Sequence, residues 1–217
     1  MNLDLFESSE APLPWSQAIA PGAVVLRGFA RPDAPALLAA VDALVAQAPW
    51  RHMLTPGGLR MSVAMTNCGA LGWVSDRAGY RYASVDPISG LPWPPMPPLF
   101  LALAGSAAAS CGFPGFAPDA CLVNRYVAGT RLSLHQDKDE RDFGAPIVSV
   151  SLGLPAVFLF GGLRRADRAQ RVPLTHGDVV VWGGPARLAY HGVLPLKAGA
   201  DGRPGEQRIN LTFRKAG

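Results

Sequence analysis

The sequence predicts a mainly β protein with flanking helices, an α+β chain whose core is a double-sheet jelly roll, also described as a double-stranded β-helix. Two patterns lead to that expectation. From Cys121 onward, eight short apolar or β-branched runs follow one another, bounded by Gly, Pro, Asp and Asn, without long helical stretches between them. The chain also holds 24 glycines and 21 prolines, enough to demand frequent turns but below the level that marks disorder. At 217 residues and 49% apolar composition it fits a single domain with a sizeable core, spanning residues 1–217.

In chain order, Ala23 to Arg27 reads as a short strand. From about Asp33 to Ala48, Leu37, Leu38, Val41, Leu44 and Val45 recur at helical spacing and predict a helix. Leu59 to Thr66 reads as a strand. Cys68 to Trp93 is rich in Gly, Tyr, Trp and Pro with little periodicity, and reads as a folded loop region. Five prolines between Pro92 and Pro98 make a rigid lead-in to an Ala-rich helix ending near Cys111. The eight later runs are Cys121–Val127, Arg131–Asp137, Ile147–Leu152, Ala156–Phe160, Gln170–Leu174, Asp178–Trp182, Leu188–Val193 and Arg208–Arg214. A plain sandwich accommodates the same runs; a jelly roll adds a pocket enclosed by its two sheets.

Composition narrows the function classes. Met1 to Glu10 is acidic and polar and lacks the regions of a secretory signal. Leu99 to Cys111 is too short and too rich in Ala, Ser and Gly to span a bilayer, so no membrane partner is expected. Cys68, Cys111 and Cys121 form an odd set without C-x-x-C spacing, which argues against a disulfide framework or a thiolate zinc site and suits a cytoplasmic location. A formal charge of +4 and a pI near 9.3 suit a polyanionic partner, although many basic proteins have none.

Of the four histidines, His135 and His191 sit in strand-like runs from different parts of the proposed jelly roll. His135-Gln136-Asp137 projects an imidazole and a carboxylate to the same side of an extended chain. With His191 they make a set of three. Two imidazoles and a carboxylate on one face of an octahedral metal leave three positions open, as in non-haem Fe(II) oxygenases; zinc is the main rival. A lone H-x-D is more often a surface pair, so the last run matters. There Arg208, Asn210, Thr212 and Arg214 share one face, with Ile209, Leu211 and Phe213 on the other. Leu122 to Tyr126 likewise places Asn124 and Tyr126 together. First and last strands are commonly neighbours in this architecture, so these polar groups converge on one site unless the face is simply solvated. Arginine's fixed fork suits a carboxylate.

The segments MSVAMTNCGALGW, PDACLVNRY, LSLHQDKDE, PIVSVSLGLPAVF, FGGL, HGDVVVWGG and NLTFR together resemble bacterial AlkB-type nucleic-acid dealkylation dioxygenases across essentially the whole chain. That resemblance implies Fe(II) held by His135, Asp137 and His191, and 2-oxoglutarate held by Asn124, Tyr126, Arg208, Asn210 and Arg214, with the distal carboxylate on Arg214. O2 is the second cosubstrate. It also implies helices and a nucleotide-recognition lid over about residues 1–120, ahead of a catalytic core over about 121–214. The implied activity is direct repair of bases such as 1-methyladenine and 3-methylcytosine in single-stranded DNA or RNA, with release of formaldehyde and succinate. Trp73 would stack on the base opposite His135, and Asp139 would approach the exocyclic amine. Tyr80, Arg165 and Arg131 are further candidates for base or phosphate contact. Without the resemblance, Trp73 reads as a packing residue and Asp139 as a solvated charge. Lys197 to Gln207 departs most from the family pattern.

Two other readings use the same residues: an oxygenase acting on a small molecule or protein side chain, and a non-catalytic nucleic-acid-binding barrel or cupin-like zinc site. His52 and His176 are expected to have no chemical role, His176-Gly177-Asp178 reading as a hairpin turn. No obligate protein partner is evident.

Overall fold

Strands whose side chains alternate between two unlike faces need two different layers to cover them, and that requirement organises this molecule. The computed structural model describes residues 15–199 and 206–217. The expectations for Met1 to Glu10, and for 200–205 within Lys197 to Gln207, lie outside the described residues. In chain order the elements are β1 (Trp15–Ala20), β2 (Ala23–Arg27), α1 (Ala34–Gln47), β3 (Ala64–Gly69), β4 (Gly72–Asp76), β5 (Gly79–Ala83), α2 (Pro98–Ser110), β6 (Ala120–Tyr126), β7 (Leu132–His135), β8 (Ile147–Gly153), β9 (Ala156–Phe160), β10 (Gln170–Leu174), β11 (Val179–Trp182), β12 (His191–Val193) and β13 (Arg208–Arg214).

A seven-stranded sheet runs β1-β2-β11-β8-β13-β6-β3 and faces a four-stranded sheet, β10-β9-β12-β7; β4 and β5 pair with each other in a third, two-stranded sheet. This is the expected jelly roll, with all eight of the later runs present as strands. The region before Ala120 also gives β1, β2 and β3 to the large sheet, in addition to its helices.

The large sheet is buried on both faces. Leu37, Val41 and Leu44 of α1 and Phe100, Leu103, Ala104 and Ala107 of α2 cover one face, against Val123, Val150, Val181, Ile209, Leu211 and Phe213. Proline in the first turn of each helix fits a position whose N–H needs no intrahelical partner. The alanines of α2 let its backbone approach the sheet, and the helix ends in a Schellman motif: Phe113 N–H donates to Ala108 O and Gly112 N–H to Ala109 O, with Gly112 at φ +86°. The other face of the sheet packs Val25, Leu122, Ile147, Val180 and Trp182 against Phe158, Phe160, Val172 and Leu174 of the small sheet.

Several expectations need correction. Cys68 to Trp93 is not a loop region: it completes β3 and forms the β4–β5 hairpin, whose half-buried residues lack clean alternation. The strand expected at Leu59 to Thr66 begins only at Ala64, because Leu54 to Arg60 turns back on itself through an isolated bridge. β1 escaped notice because it is a largely exposed edge strand. Arg131–Asp137 and Leu188–Val193 shrink to β7 and β12, since side chains replace the ladder beyond them: Gln136 Nε2 donates to Leu188 O at 2.7 Å and Arg187 Nη1 to Asp137 O at 2.9 Å. Thr175 to Asp178 is a turn but not a hairpin, because β10 pairs in the small sheet and β11 in the large one.

Candidate active site and metal centre

β7 and β12 are antiparallel neighbours, and their register sets His135 directly opposite His191, with ring centroids 4.3 Å apart. Each imidazole turns Nδ1 toward a backbone carbonyl two residues back, Ser133 O at 2.9 Å and Ala189 O at 3.0 Å. Both Nε2 atoms are thereby left to face a common partner. Asp137, just beyond β7, brings Oδ1 within 3.6 Å of His135 Nε2 and Oδ2 within 3.7 Å of His191 Nε2. One donor atom from each residue lies within 4.8 Å of the other two. Two imidazole nitrogens and one carboxylate oxygen around a common point fit a single divalent ion.

Charge in the surroundings supports that use. Burial opposes ionisation of Asp137, but Arg214, His191 and His135 outweigh it and hold the carboxyl well below its usual range. For His191, burial, reinforced by the neighbouring His135 and opposed by Asp137, lowers the pKa to about 4. Its ring is therefore neutral near pH 7, the form that binds a metal. Arg214 donates to Asp137 Oδ2 through Nε at 2.8 Å and Nη2 at 2.6 Å, and its Nε lies 3.2 Å from Glu140 Oε1. Burial disfavours its charge; Asp137, Tyr82 and Glu140 more than compensate and raise its pKa.

The parity expected of the last strand is observed, and its polar face is not solvated. β13 lies between β6 and β8, with Asn210 opposite Asn124 and Arg208 opposite Tyr126. Arg208 is 1% exposed, and Asn210, Thr212 and Arg214 are each 6% exposed. Asn210 Nδ2 donates to Ser149 Oγ at 2.8 Å and to Val150 O at 2.9 Å, while Asn124 Nδ2 donates to Asn210 Oδ1 at 3.3 Å. Arg208 lies over the Tyr126 ring at 4.9 Å and donates through Nη2 to Ser151 Oγ at 2.9 Å. Among the described residues its Nε and Nη1 have no hydrogen-bond partner, nor has Asn124 Oδ1. A guanidinium buried with open donors costs several kcal/mol unless an anion completes it. Arg214, which the resemblance places on the distal carboxylate, is instead committed to Asp137 and Glu140; Arg208 is the arginine with donors to spare.

At the rim, Trp73 on β4 stacks on Tyr80 of β5, with centroids 5.6 Å apart and planes 13° from parallel. One face of the indole is therefore covered by Tyr80. Trp73 Nε1 donates to Asp139 Oδ2 at 2.8 Å, so two candidates expected on different parts of a base already touch each other. Arg165 lies 5.2 Å from the Tyr190 ring. All twelve site candidates, and Arg131, line one cavity of about 710 Å³ between the sheets, within the size range of small-ligand pockets. His52 Nδ1 contacts Met61 O and His176 Nδ1 accepts from Gly153 N–H; neither lines the cavity.

Sequence reasoning overlooked Ser149 and Ser151, although the Val-Ser-Val-Ser-Leu alternation of β8 places them on the inner face. It also overlooked Tyr82, Glu140 and Arg187, which have no local signal. Tyr82 Oη donates to Glu140 Oε1 at 2.7 Å, and burial pushes its pKa well above the ordinary value. Arg187 Nη2 lies 3.2 Å from Glu140 Oε2.

The chain belongs to the 2OG-Fe(II) oxygenase superfamily, whose sequence profile matches residues 22–214. Within that class it is of the AlkB type. It is 60% identical over 214 residues to the alpha-ketoglutarate-dependent dioxygenase AlkB of Salmonella typhimurium, covering 99% of this chain and 98% of that one. It is 57% identical over 215 residues to the protein of the same name from Escherichia coli, with the same coverage. Among solved structures, that of OsALKBH1 superposes with a TM-score of 0.80 at 31% identity, covering 93% of this chain and all of that one. The protein is thus an Fe(II)- and 2-oxoglutarate-dependent dioxygenase.

Proposed function

We propose that this dioxygenase removes alkyl groups oxidatively from damaged bases such as 1-methyladenine and 3-methylcytosine in single-stranded DNA or RNA. The observation that supports the reading best is a three-donor cluster beside a buried arginine with open donors, in a cavity that Trp73, Tyr80 and Asp139 also line. The donor set fits Fe(II), and the residues beside it fit a dicarboxylate. His135, Asp137 and His191 would hold the metal. Arg208 would take the distal carboxylate of 2-oxoglutarate, supported by Tyr126 and Ser151, with Asn124 and Asn210 completing the polar wall. Arg214 would fix the orientation of Asp137.

When bound, the iron and 2-oxoglutarate supply oxidation of a C–H bond by O2, with formation of succinate and CO2. The chain's own residues select what is oxidised. A base must leave its stack to reach the cavity, and this is easiest in a single strand or at a lesion that blocks pairing. Trp73 lines the cavity and can stack on a base there, and Asp139 lies beside the indole N–H, where it favours a cationic base. Hydroxylation of the carbon on nitrogen gives an N-hydroxymethyl base, which releases formaldehyde without any protein nucleophile.

Among the described residues no helix is long and apolar enough to cross a membrane. The cytoplasm, where three free thiols stay reduced, is the proposed site of action.

Incubation with Fe(II), ascorbate, 2-oxoglutarate and an oligonucleotide carrying one 1-methyladenine tests the function. Loss of the methyl mass together with succinate formation is expected. Succinate formation with an unchanged oligonucleotide would instead favour a small-molecule or protein substrate.

A further inference from the structure

The β4–β5 hairpin bears Trp73 and Tyr80 on the cavity wall, yet among the described residues it has no ladder to either main sheet. Side chains attach it instead. Trp73 and Tyr82 are directly opposite each other in the hairpin, and their polar ends reach two consecutive residues, Asp139 and Glu140. Glu140 is buried between two arginines that both also bind Asp137. Arg214 contacts the Asp137 carboxylate, and Arg187 donates to its backbone carbonyl. Trp73 at the rim is thus joined by strand pairing to Tyr82, and from Tyr82 polar contacts run on to the metal-binding carboxylate: Tyr82 to Glu140, Glu140 to Arg214, Arg214 to Asp137.

Building on the function proposed above, we propose that Tyr82 and Glu140 are positioning residues that couple docking of a base on Trp73 to the orientation of Asp137, so that nucleic acid and metal bind cooperatively. Neither residue lines the cavity. A base docked in the cavity against Trp73 restrains the hairpin. The hairpin then holds Tyr82 Oη on Glu140, and Glu140 keeps Arg214 in the pose that aims Asp137 at the ion. Ordering that one ligand has already imposed need not be imposed again by the second, which makes the coupling positive. Linkage makes it reciprocal.

The test uses Mn(II), which binds such donor sets without supporting turnover, and a single-stranded oligonucleotide with one 1-methyladenine, both in the presence of 2-oxoglutarate. Calorimetry of the whole chain measures Mn(II) affinity with and without the oligonucleotide. The wild type should bind Mn(II) about fivefold or more tightly when the oligonucleotide is present, and the oligonucleotide should gain the same factor from Mn(II). Tyr82→Phe should bring that factor close to one while leaving Mn(II) affinity without oligonucleotide near wild type. Glu140→Gln keeps an acceptor for Tyr82 but loses the charge facing Arg214, and it should also shrink the factor. If Tyr82→Phe is poorly folded by circular dichroism, Glu140→Gln decides the matter. A wild-type factor of one overturns the coupling. So does a factor that a folded variant retains in full, even if both of its affinities fall together, as a purely structural role would give. Failure of the wild type to bind Mn(II) at all would overturn the metal assignment beneath it, a result distinguishable from two ligands that bind independently.

Discussion

Arg214 binds the Asp137 carboxylate at 2.6 Å, whereas Arg208, on the same face of β13, keeps two donors open among the described residues. The two arginines therefore have separable tasks. Arg208→Ala should weaken 2-oxoglutarate binding by about 2–5 kcal/mol, the cost of removing one member of a buried charged pair. Arg208→Lys should not rescue it, because an ammonium cannot present the same donors. Titration calorimetry with 2-oxoglutarate and Mn(II) measures both. Unchanged affinity in Arg208→Ala would return the distal carboxylate to Arg214.

Arg214→Ala leaves Asp137 without its principal cation in a buried place. Metal affinity is expected to fall in this variant, along with stability. Urea denaturation and Mn(II) titration of the same preparation follow the two effects, and intact Mn(II) affinity would show that Asp137 needs no such support.

His135→Ala, Asp137→Ala and His191→Ala each remove one of three donors that converge within 4.8 Å. Each variant should lose tight Mn(II) binding and all dealkylation while retaining a wild-type circular dichroism spectrum. Full turnover by any of them, with Fe(II) in excess, would falsify the triad.

The metal-free protein should lose stability as the pH falls below neutral. His191 has a folded pKa of about 4, below the ordinary value of 6.5. Between those values the unfolded chain takes up a proton that the folded chain refuses, so acid favours unfolding. The loss amounts to about 2 kcal/mol between pH 7 and pH 5. Urea denaturation in the presence of a chelator measures it, and His191→Asn should flatten the profile over that interval. An equally steep profile in the variant would assign the effect elsewhere.

Trp73→Ala should weaken methylated oligonucleotides broadly, by about 1–3 kcal/mol per stacked base, with 2-oxoglutarate affinity spared. Asp139→Ala should reduce turnover of cationic 1-methyladenine more than that of neutral 1-methylguanine in the same single-stranded sequence. Because Asp139 accepts from Trp73 Nε1, the double variant should show less than the sum of the two losses. Equal reduction of both lesions in Asp139→Ala would mean that its carboxylate only holds the indole in place.

What was legible beforehand depended on whether a residue's role showed in its own strand. Residues 208 to 214 alternate so cleanly that the strand and its two faces follow from parity, while its pairing with the Asn124 strand follows from the neighbouring of first and last strands in a jelly roll. The difference between Arg208 and Arg214 does not, since both lie on the same face. It arises from Asp137, Glu140 and Ser151, which the fold brings in from distant parts of the chain. Tyr82 and Glu140 were invisible for the same reason: a half-buried hairpin without apolar alternation and a charged run look like a loop and a solvated face until each is placed against the other.

The hairpin's attachment has a consequence for how such an enzyme can change over generations. Apart from its own two strands, its backbone is held to the large sheet, among the described residues, through one side chain: Asn67 Nδ2 donates to Trp73 O and Asn67 Oδ1 accepts from Trp73 N–H, each at 3.0 Å, in imitation of a strand neighbour. Trp93 Nε1 adds a bond to Ala83 O. Residues 74 to 81 can therefore be rewritten without breaking a single ladder hydrogen bond of the jelly roll. Substrate range becomes heritable separately from oxidative chemistry, and a hairpin transplanted from a relative with another base preference would need to keep its backbone matches to Asn67 and Trp93, the buried Val74 and Ser75, and the side chains at 73 and 82.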